Sequence, residues 1–186
     1  MVKSWKTHAR IIALCAGLPA LVLGTGGVVN ASTTDTNYSV LYNFNTNNQC
    51  LAVGAGSIDN GAGVIQWNCT NGFEQEWSFD RLPTKTFNGS TWYHVVNLKS
   101  TLQRGTPMCL AVPGGTSALN TQLMQWPCGD WNDHWWRKIS TDYANTFALE
   151  NLNGLCIGVG GNSHVPGAPV VQWSCDNGPE QSWYPS

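Results

Sequence analysis

Apolar and polar residues along this chain fall into short blocks with no sustained 3.6-residue period, which argues for strands rather than helices. Tyr38 to Phe44 mixes aromatic and β-branched residues in a strand-like run, and Trp92 to Leu98 and Thr146 to Leu152 do the same. Each run ends on an asparagine and an apolar residue: Asn43-Phe44, Asn97-Leu98 and Asn151-Leu152. An apolar block opened by cysteine follows each: Cys50-Leu51-Ala52-Val53, Cys109-Leu110-Ala111-Val112 and Cys156-Ile157-Gly158-Val159. Beyond a Gly-rich loop come Gln66-Trp67-Asn68-Cys69, Gln125-Trp126-Pro127-Cys128 and Gln172-Trp173-Ser174-Cys175, then a turn and Trp77, Trp136 or Trp183. In all three copies the cysteines are 19 positions apart, and the last tryptophan falls 8 after the second cysteine. The pattern predicts about four short strands per copy and no helix.

Three copies are few for a solenoid, and no polar capping repeat is visible. Closure of three four-stranded units into one barrel-like β fold is expected instead, because it removes exposed sheet edges. The copies run over about residues 38–80, 92–139 and 146–186 of a single domain, 32–186. First cysteines are 59 apart between copies one and two but 47 between two and three. The extra residues fall around Leu82 to Ser90 and Lys99 to Pro107, polar stretches expected to be surface loops.

Residues 1–31 have the plan of a secretory signal peptide: Lys3, Lys6 and Arg10, an apolar Ile11 to Leu23, then Val29-Asn30-Ala31 as a cleavage site. The apolar part is too short and Gly-broken for a membrane span, so an extracellular, secreted product without membrane association is expected. Removing the leader leaves six basic against eleven acidic residues, a net charge of −5, and nine of the ten tryptophans. With no basic patch to neutralise phosphates, nucleic acid is not an expected partner. A charge-poor domain rich in Trp, Gly and Asn suits a neutral polyhydroxy ligand.

Six cysteines remain, an even number for an oxidising compartment. Only pairing within each copy (Cys50 with Cys69, Cys109 with Cys128, Cys156 with Cys175) both treats the copies alike and uses short loops. Each bridge should add about 3 kcal/mol on loop-closure grounds. The 19-residue spacing lacks the Cys-x-x-Cys of zinc sites, so neither metal nor cofactor is expected.

The Cys-Leu-x-Val openings, Gln75-Glu76-Trp77, Gln181-Ser182-Trp183 and the Trp two before each second cysteine together resemble the ricin B-type lectin family. Copy two departs, with His134 where Gln is expected. The resemblance covers about Tyr38 to Trp183 and implies an all-β, β-trefoil fold of three pseudo-threefold repeats, an extracellular setting and sugar binding. It gives Trp67, Trp126 and Trp173 the role of stacking on the apolar face of a sugar. It also implies a carboxylate two residues after the first cysteine, where this chain has Ala52, Ala111 and Gly158. Unpaired sugar hydroxyls cost roughly 1–3 kcal/mol each on burial, so another acceptor is needed. Glu74, Asp133 and Glu180, just before each Gln-x-Trp or its equivalent, are the candidates. Gln75, His134 and Gln181 complete the candidate sugar-binding set, while Trp77, Trp136 and Trp183 read as core. Trp131, Trp135 and Trp136 form a cluster peculiar to copy two that either widens its pocket or makes an exposed patch.

The expected function is that of a non-catalytic, monomeric carbohydrate-binding module with up to three shallow Trp-based pockets. No catalytic constellation stands out: Glu74 and Glu76 are expected on one face of a strand with no cleft implied, short of the two flanking carboxylates a glycosidase uses. The alternative is a protein-interaction or protease-inhibitor module using the enlarged loops 82–90 and 99–107, with Arg104 or Lys85 at the tip.

Overall fold

The computed structural model describes residues 38–46 and 48–186. The expected signal peptide, 1–31, and the polar segment that follows it lie outside the described residues.

Among the described residues thirteen strands form one antiparallel sheet that closes in three similar units. The first unit has β1 (Tyr38–Asn43), β2 (Gln49–Val53), β3 (Val64–Asn68) and β4 (Glu76–Ser78). A separate two-stranded ribbon follows, β5 (Lys85–Phe87) and β6 (Ser90–Trp92). The second unit holds β7 (Val96–Asn97), a helix α1 (Leu98–Arg104), β8 (Met108–Ala111), β9 (Thr121–Gln122), β10 (Met124–Pro127) and β11 (Trp136–Ser140). The third has β12 (Phe147–Asn151), β13 (Leu155–Val159), β14 (Val170–Ser174) and β15 (Trp183–Pro185). Strand β1 pairs with β4 on one side and with β15 on the other, bringing Leu41 opposite Pro185. This closure is the β-trefoil expected from the repeats.

The three tryptophans that end the repeats make the core. Trp77, Trp136 and Trp183 are fully buried among Leu41, Leu51, Leu110, Leu149 and Ile157. A buried indole N–H needs a partner, and each finds the same one: Nε1 donates to the carbonyls of Leu51, Leu110 and Ile157, at 3.0, 3.0 and 3.4 Å. The three intra-repeat disulfides are present, with Cα separations of 5.3, 4.9 and 5.0 Å.

Two stretches expected as loops are ordered elements. Residues 98–104 form α1, capped by the Asn97 side chain, which accepts from Ser100 N at 3.2 Å, and stopped by Gly105 at φ 72°. Its Ser100 and Thr101 are buried while residues 102–106 are exposed, so this stretch lies at the surface as expected but as a helix rather than a loop. Within 82–92, β5 and β6 turn on Asn88 and Gly89, both at positive φ (50° and 71°). The run Trp92 to Leu98 is likewise not one strand: Trp92 ends β6, Val96–Asn97 is β7, and Leu98 starts α1. Arg104 therefore sits on a helix, its Nη1 donating to Ile58 O at 3.0 Å. Lys85 lies 4.0 Å over the Trp135 ring and 3.5 Å from Asp130. Neither is the free tip of an extended loop: Arg104 ends a helix and Lys85 begins a strand.

Candidate functional site

Strand alternation sets the site. In β3, β10 and β14 the Gln of each Gln-Trp pair points inward and the Trp outward. Gln66, Gln125 and Gln172 are fully buried, while Trp67, Trp126 and Trp173 are 44%, 37% and 41% exposed. Each platform Trp lies directly across from the first cysteine of its repeat.

The buried glutamines clasp neighbouring repeats. Gln66 Nε2 donates to Ser163 O and Val165 O at 2.7 and 3.1 Å. Gln125 Nε2 reaches Ser57 O and Asp59 O, both at 3.0 Å, and Gln172 Nε2 reaches Thr116 O and Ala118 O, both at 2.8 Å. The first repeat thus grips the third, the third grips the second, and the second grips the first. Each grip falls just beyond a tight 3₁₀ turn: Gly54–Gly56, Pro113–Gly115 or Gly160–Asn162. These turns need two consecutive left-handed residues, supplied by Ala55-Gly56, Gly114-Gly115 and Gly161-Asn162.

Three hollows result, one per repeat, each walled by that turn, floored by the platform Trp and bounded by the acid of the following 3₁₀ turn. The first, about 440 Å³, holds Gly56, Trp67 and Glu74. The second, about 400 Å³, holds Gly115, Trp126 and Asp133. The third, about 440 Å³, holds Gly161, Trp173 and Glu180. Glu74 lies on the Phe73–Gln75 turn and Glu76 at the start of β4, so the two do not share a strand as expected. Burial, and then the Glu74 charge, raise the Glu76 carboxyl above its usual range.

Of the residues after the acids, His134 and Gln181 line the second and third hollows, whereas Gln75 does not line the first. Gln75 is buried; its Oε1 accepts from Thr70 N at 2.8 Å and its Nε2 donates to Asn68 O at 2.7 Å. Gln181 repeats this with Asp176 N and Ser174 O at 3.3 and 2.8 Å. His134 Nδ1 accepts from Gly129 N at 3.3 Å, keeping half of the clasp. Burial holds the His134 imidazolium form down, against the pull of Asp133 at 3.7 Å. The position two after the first cysteine offers no acceptor in any repeat, although Ala52 lines the first hollow and Gly158 the third. Ala52 and Ala111 are buried, and a side chain at Gly158 would come within 2.9 Å of Gln181.

The hollows differ in their surroundings. Lys99 of α1 lines the first, its Nζ 3.9 Å from Glu74. The second gains another indole, Trp131, which is 55% exposed and lies against Gly129. That places Trp131 in the pocket wall, whereas Trp135 and Trp136 are buried. Trp131 occupies the position of Gly72 and Gly178 in the other repeats. A Cβ at those glycines would meet the Glu74 or Glu180 carboxylate at 2.3 or 2.4 Å. The shorter Asp133 is what a side chain at position 131 allows. The third hollow is closed on one side by Asn120 of the second repeat.

The family described as Ricin-type beta-trefoil lectin domain matches residues 94–186, and the Ricin-type beta-trefoil lectin domain-like family matches residues 28–126. No curated protein sequence matches the chain. Among solved structures it is similar to a designed threefold-symmetric protein, ThreeFoil, with a TM-score of 0.69 and 23% identity over 80% of this chain and 97% of that one. It is also similar to an exo-beta-1,3-galactanase from Clostridium thermocellum, with a TM-score of 0.68 and 24% identity over 82% of this chain but 30% of the galactanase. A third likeness is the C-half of an earthworm R-type lectin solved with GalNAc, with a TM-score of 0.57 and 15% identity over 81% and 98% of the two chains. Identities this low speak for the fold alone, which is the trefoil. On the two family matches, the chain belongs to the ricin-type beta-trefoil lectin domain family of carbohydrate-binding modules.

Proposed function

We propose that the protein is a secreted, monomeric and non-catalytic module that docks neutral glycans in its three Trp-floored hollows. The observation that carries this is the threefold recurrence of an exposed indole, a carboxylate and a left-handed turn around hollows of about 400–440 Å³. A pyranose lays its C–H face on Trp67, Trp126 or Trp173 and turns its hydroxyls towards Glu74, Asp133 or Glu180. These acids stand in for the acceptor that Ala52, Ala111 and Gly158 cannot supply. Gln75, His134 and Gln181 act as positioning residues that fix the turn carrying each acid. The GalNAc bound by the earthworm lectin supports a sugar of this kind. Single shallow pockets bind weakly, and three on one rigid body gain avidity towards a repeating polysaccharide.

The test is retention on immobilised polysaccharide after a glycan array has chosen it. Replacing Trp67, Trp126 and Trp173 together by Ala lowers retention tenfold or more while the far-UV spectrum and melting cooperativity stay native. Retention of the triple variant at wild-type strength overturns the platform assignment. Release of reducing ends during the same incubation would overturn the non-catalytic reading.

A further inference from the structure

We propose a fourth sugar-binding site at the seam between the first and third repeats, for a neutral sugar ring, in addition to the three indole hollows. A hollow of about 580 Å³ lies there, lined by Phe44, Thr46, Asn145, Tyr184 and Pro185 among others, and shares no residue with the three Trp sites. No Lys, Arg, His, Asp or Glu lines it. Phe44 is 43% exposed and packs against Tyr143 at 4.4 Å, while Tyr42 and Tyr184 stack at 5.2 Å with planes 13° apart. The result is a band of four aromatic rings at one seam of the barrel.

The fold's own symmetry shows that this band is not a packing requirement. Tyr42 pairs directly with Tyr184 across β1 and β15. The same cross-strand position is Val96 with Ser78 in the next seam, and Glu150 with Arg137 in the last. A stack, a small pair and an ion pair thus all serve the barrel equally at that place. Phe44 likewise stands where the other repeats carry Leu98 and Leu152. One exposed and three half-buried aromatic rings beyond what the fold needs mark a surface that meets something flat and apolar.

The polar groups select the class of ligand. Thr46 Oγ1 is buried in the wall with no hydrogen-bond partner among the described residues. A buried hydroxyl left unpaired is costly, so a rotation of the Thr46 side chain that turns Oγ1 into the hollow to meet a ligand hydroxyl is favoured. Asn145, left-handed at φ 61°, lines the same hollow from the turn before β12. Aromatic faces, a carboxamide and hydroxyls without a charged group suit a neutral pyranose, not an anionic sugar or a cationic ligand. The site rests on the reading of the protein as a glycan binder, although its residues are independent of the Trp hollows.

The test uses the Trp67, Trp126 and Trp173 triple Ala variant, so that only the fourth site remains, titrated with lactose, cellotetraose and xylotetraose under heteronuclear NMR. Backbone amides of Phe44, Ala144 and Asn145 should shift and saturate with at least one of these sugars. Phe44→Leu with Tyr184→Ser, each a residue the fold already uses at the symmetric position, should weaken that binding tenfold or more without loss of dispersion in the spectrum. No saturable shift at these amides in the triple variant, while the wild type is retained on polysaccharide, overturns the fourth site and leaves the Trp-site reading intact. Shifts that persist undiminished in the Phe44→Leu and Tyr184→Ser variant also overturn it.

Discussion

Replacing Gln172 by Leu tests whether the buried glutamine ring holds the repeats together. Gln172 is fully buried, donates to Thr116 O and Ala118 O at 2.8 Å each, and accepts from Asn151 Nδ2 at 2.9 Å. Leu matches its volume and makes none of these bonds. Three neutral hydrogen bonds at about 1 kcal/mol each, with a stranded Asn151 amide adding about 1 more, give roughly 4 kcal/mol lost. The more apolar side chain returns about 1 kcal/mol, leaving about 3 net. Gln66 is the internal control. It makes two donor bonds, but its Oε1 has no partner among the described residues, so Gln66→Leu removes an existing penalty along with the bonds. That variant should lose no more than about 1 kcal/mol. For a domain of this size the Gln172 loss corresponds to a fall of about 6–12 °C in melting temperature, read by scanning calorimetry alongside urea titration. Equal losses for the two variants, or a larger loss for Gln66→Leu, would refute the reasoning.

Three further changes follow from the repeat comparisons. Ala55→Gly relieves a left-handed alanine at φ 52°, where the other repeats have Gly114 and Gly161, and should raise stability by about 0.5–1 kcal/mol in urea titration. His94 and His134 are both held below the ordinary 6.5 chiefly by burial, so the folded state binds fewer protons than the unfolded one. Stability is therefore full above pH 6.5 and falls as pH drops through that value towards the folded ones, a slope that a urea midpoint series from pH 8 to 5 reads directly. His134→Gln restores the clasp to Pro127 O and Gly129 N and should flatten part of that slope, whereas an unchanged slope assigns it elsewhere. Lys99→Ala frees Glu74 and should strengthen sugar binding at the first hollow several-fold, measured with Trp126→Ala and Trp173→Ala present to silence the others. Its effect on stability should stay within about 1 kcal/mol, as befits a partly exposed pair at 3.9 Å.

The fold was legible because its determinants repeat. A cysteine pair 19 apart with Trp 8 further on cannot recur three times without a shared packing role, and Trp77, Trp136 and Trp183 make the same N–H to carbonyl bond. What broke the repeat was harder to read. Helix α1 has an Asn cap and a Gly stop in sequence, yet its seven residues are too few to display a helical period. The ribbon of β5 and β6 carries Asn88-Gly89, a strong hairpin signal that was hidden inside a polar stretch. Asparagine richness suggested a polyhydroxy ligand, but among the described residues seven of the eight non-glycine residues at positive φ are Asn, so much of it serves turns. The seam aromatics were illegible because Phe44 and Tyr184 meet only through closure of the barrel.

Symmetry in the scaffold and asymmetry in the pockets have one cause. The glutamine clasps and core tryptophans lie on inward positions, where a change in one repeat strains the other two through the closed ring of contacts. The pocket rims lie outside that ring and are free to diverge. Lys99 enters the first hollow on an inserted helix, and Trp131 enters the second with a shortened acid. The third keeps Glu180 with no cation among its lining residues. Three pockets that differ in charge and in number of indoles will not share one preferred sugar. A heterogeneous or branched glycan that presents a different residue to each hollow should therefore be retained better than a homopolymer of equal length. Competition elution with single sugars from each polymer measures this: one sugar should release the homopolymer-bound protein, and a mixture should be needed for the branched glycan.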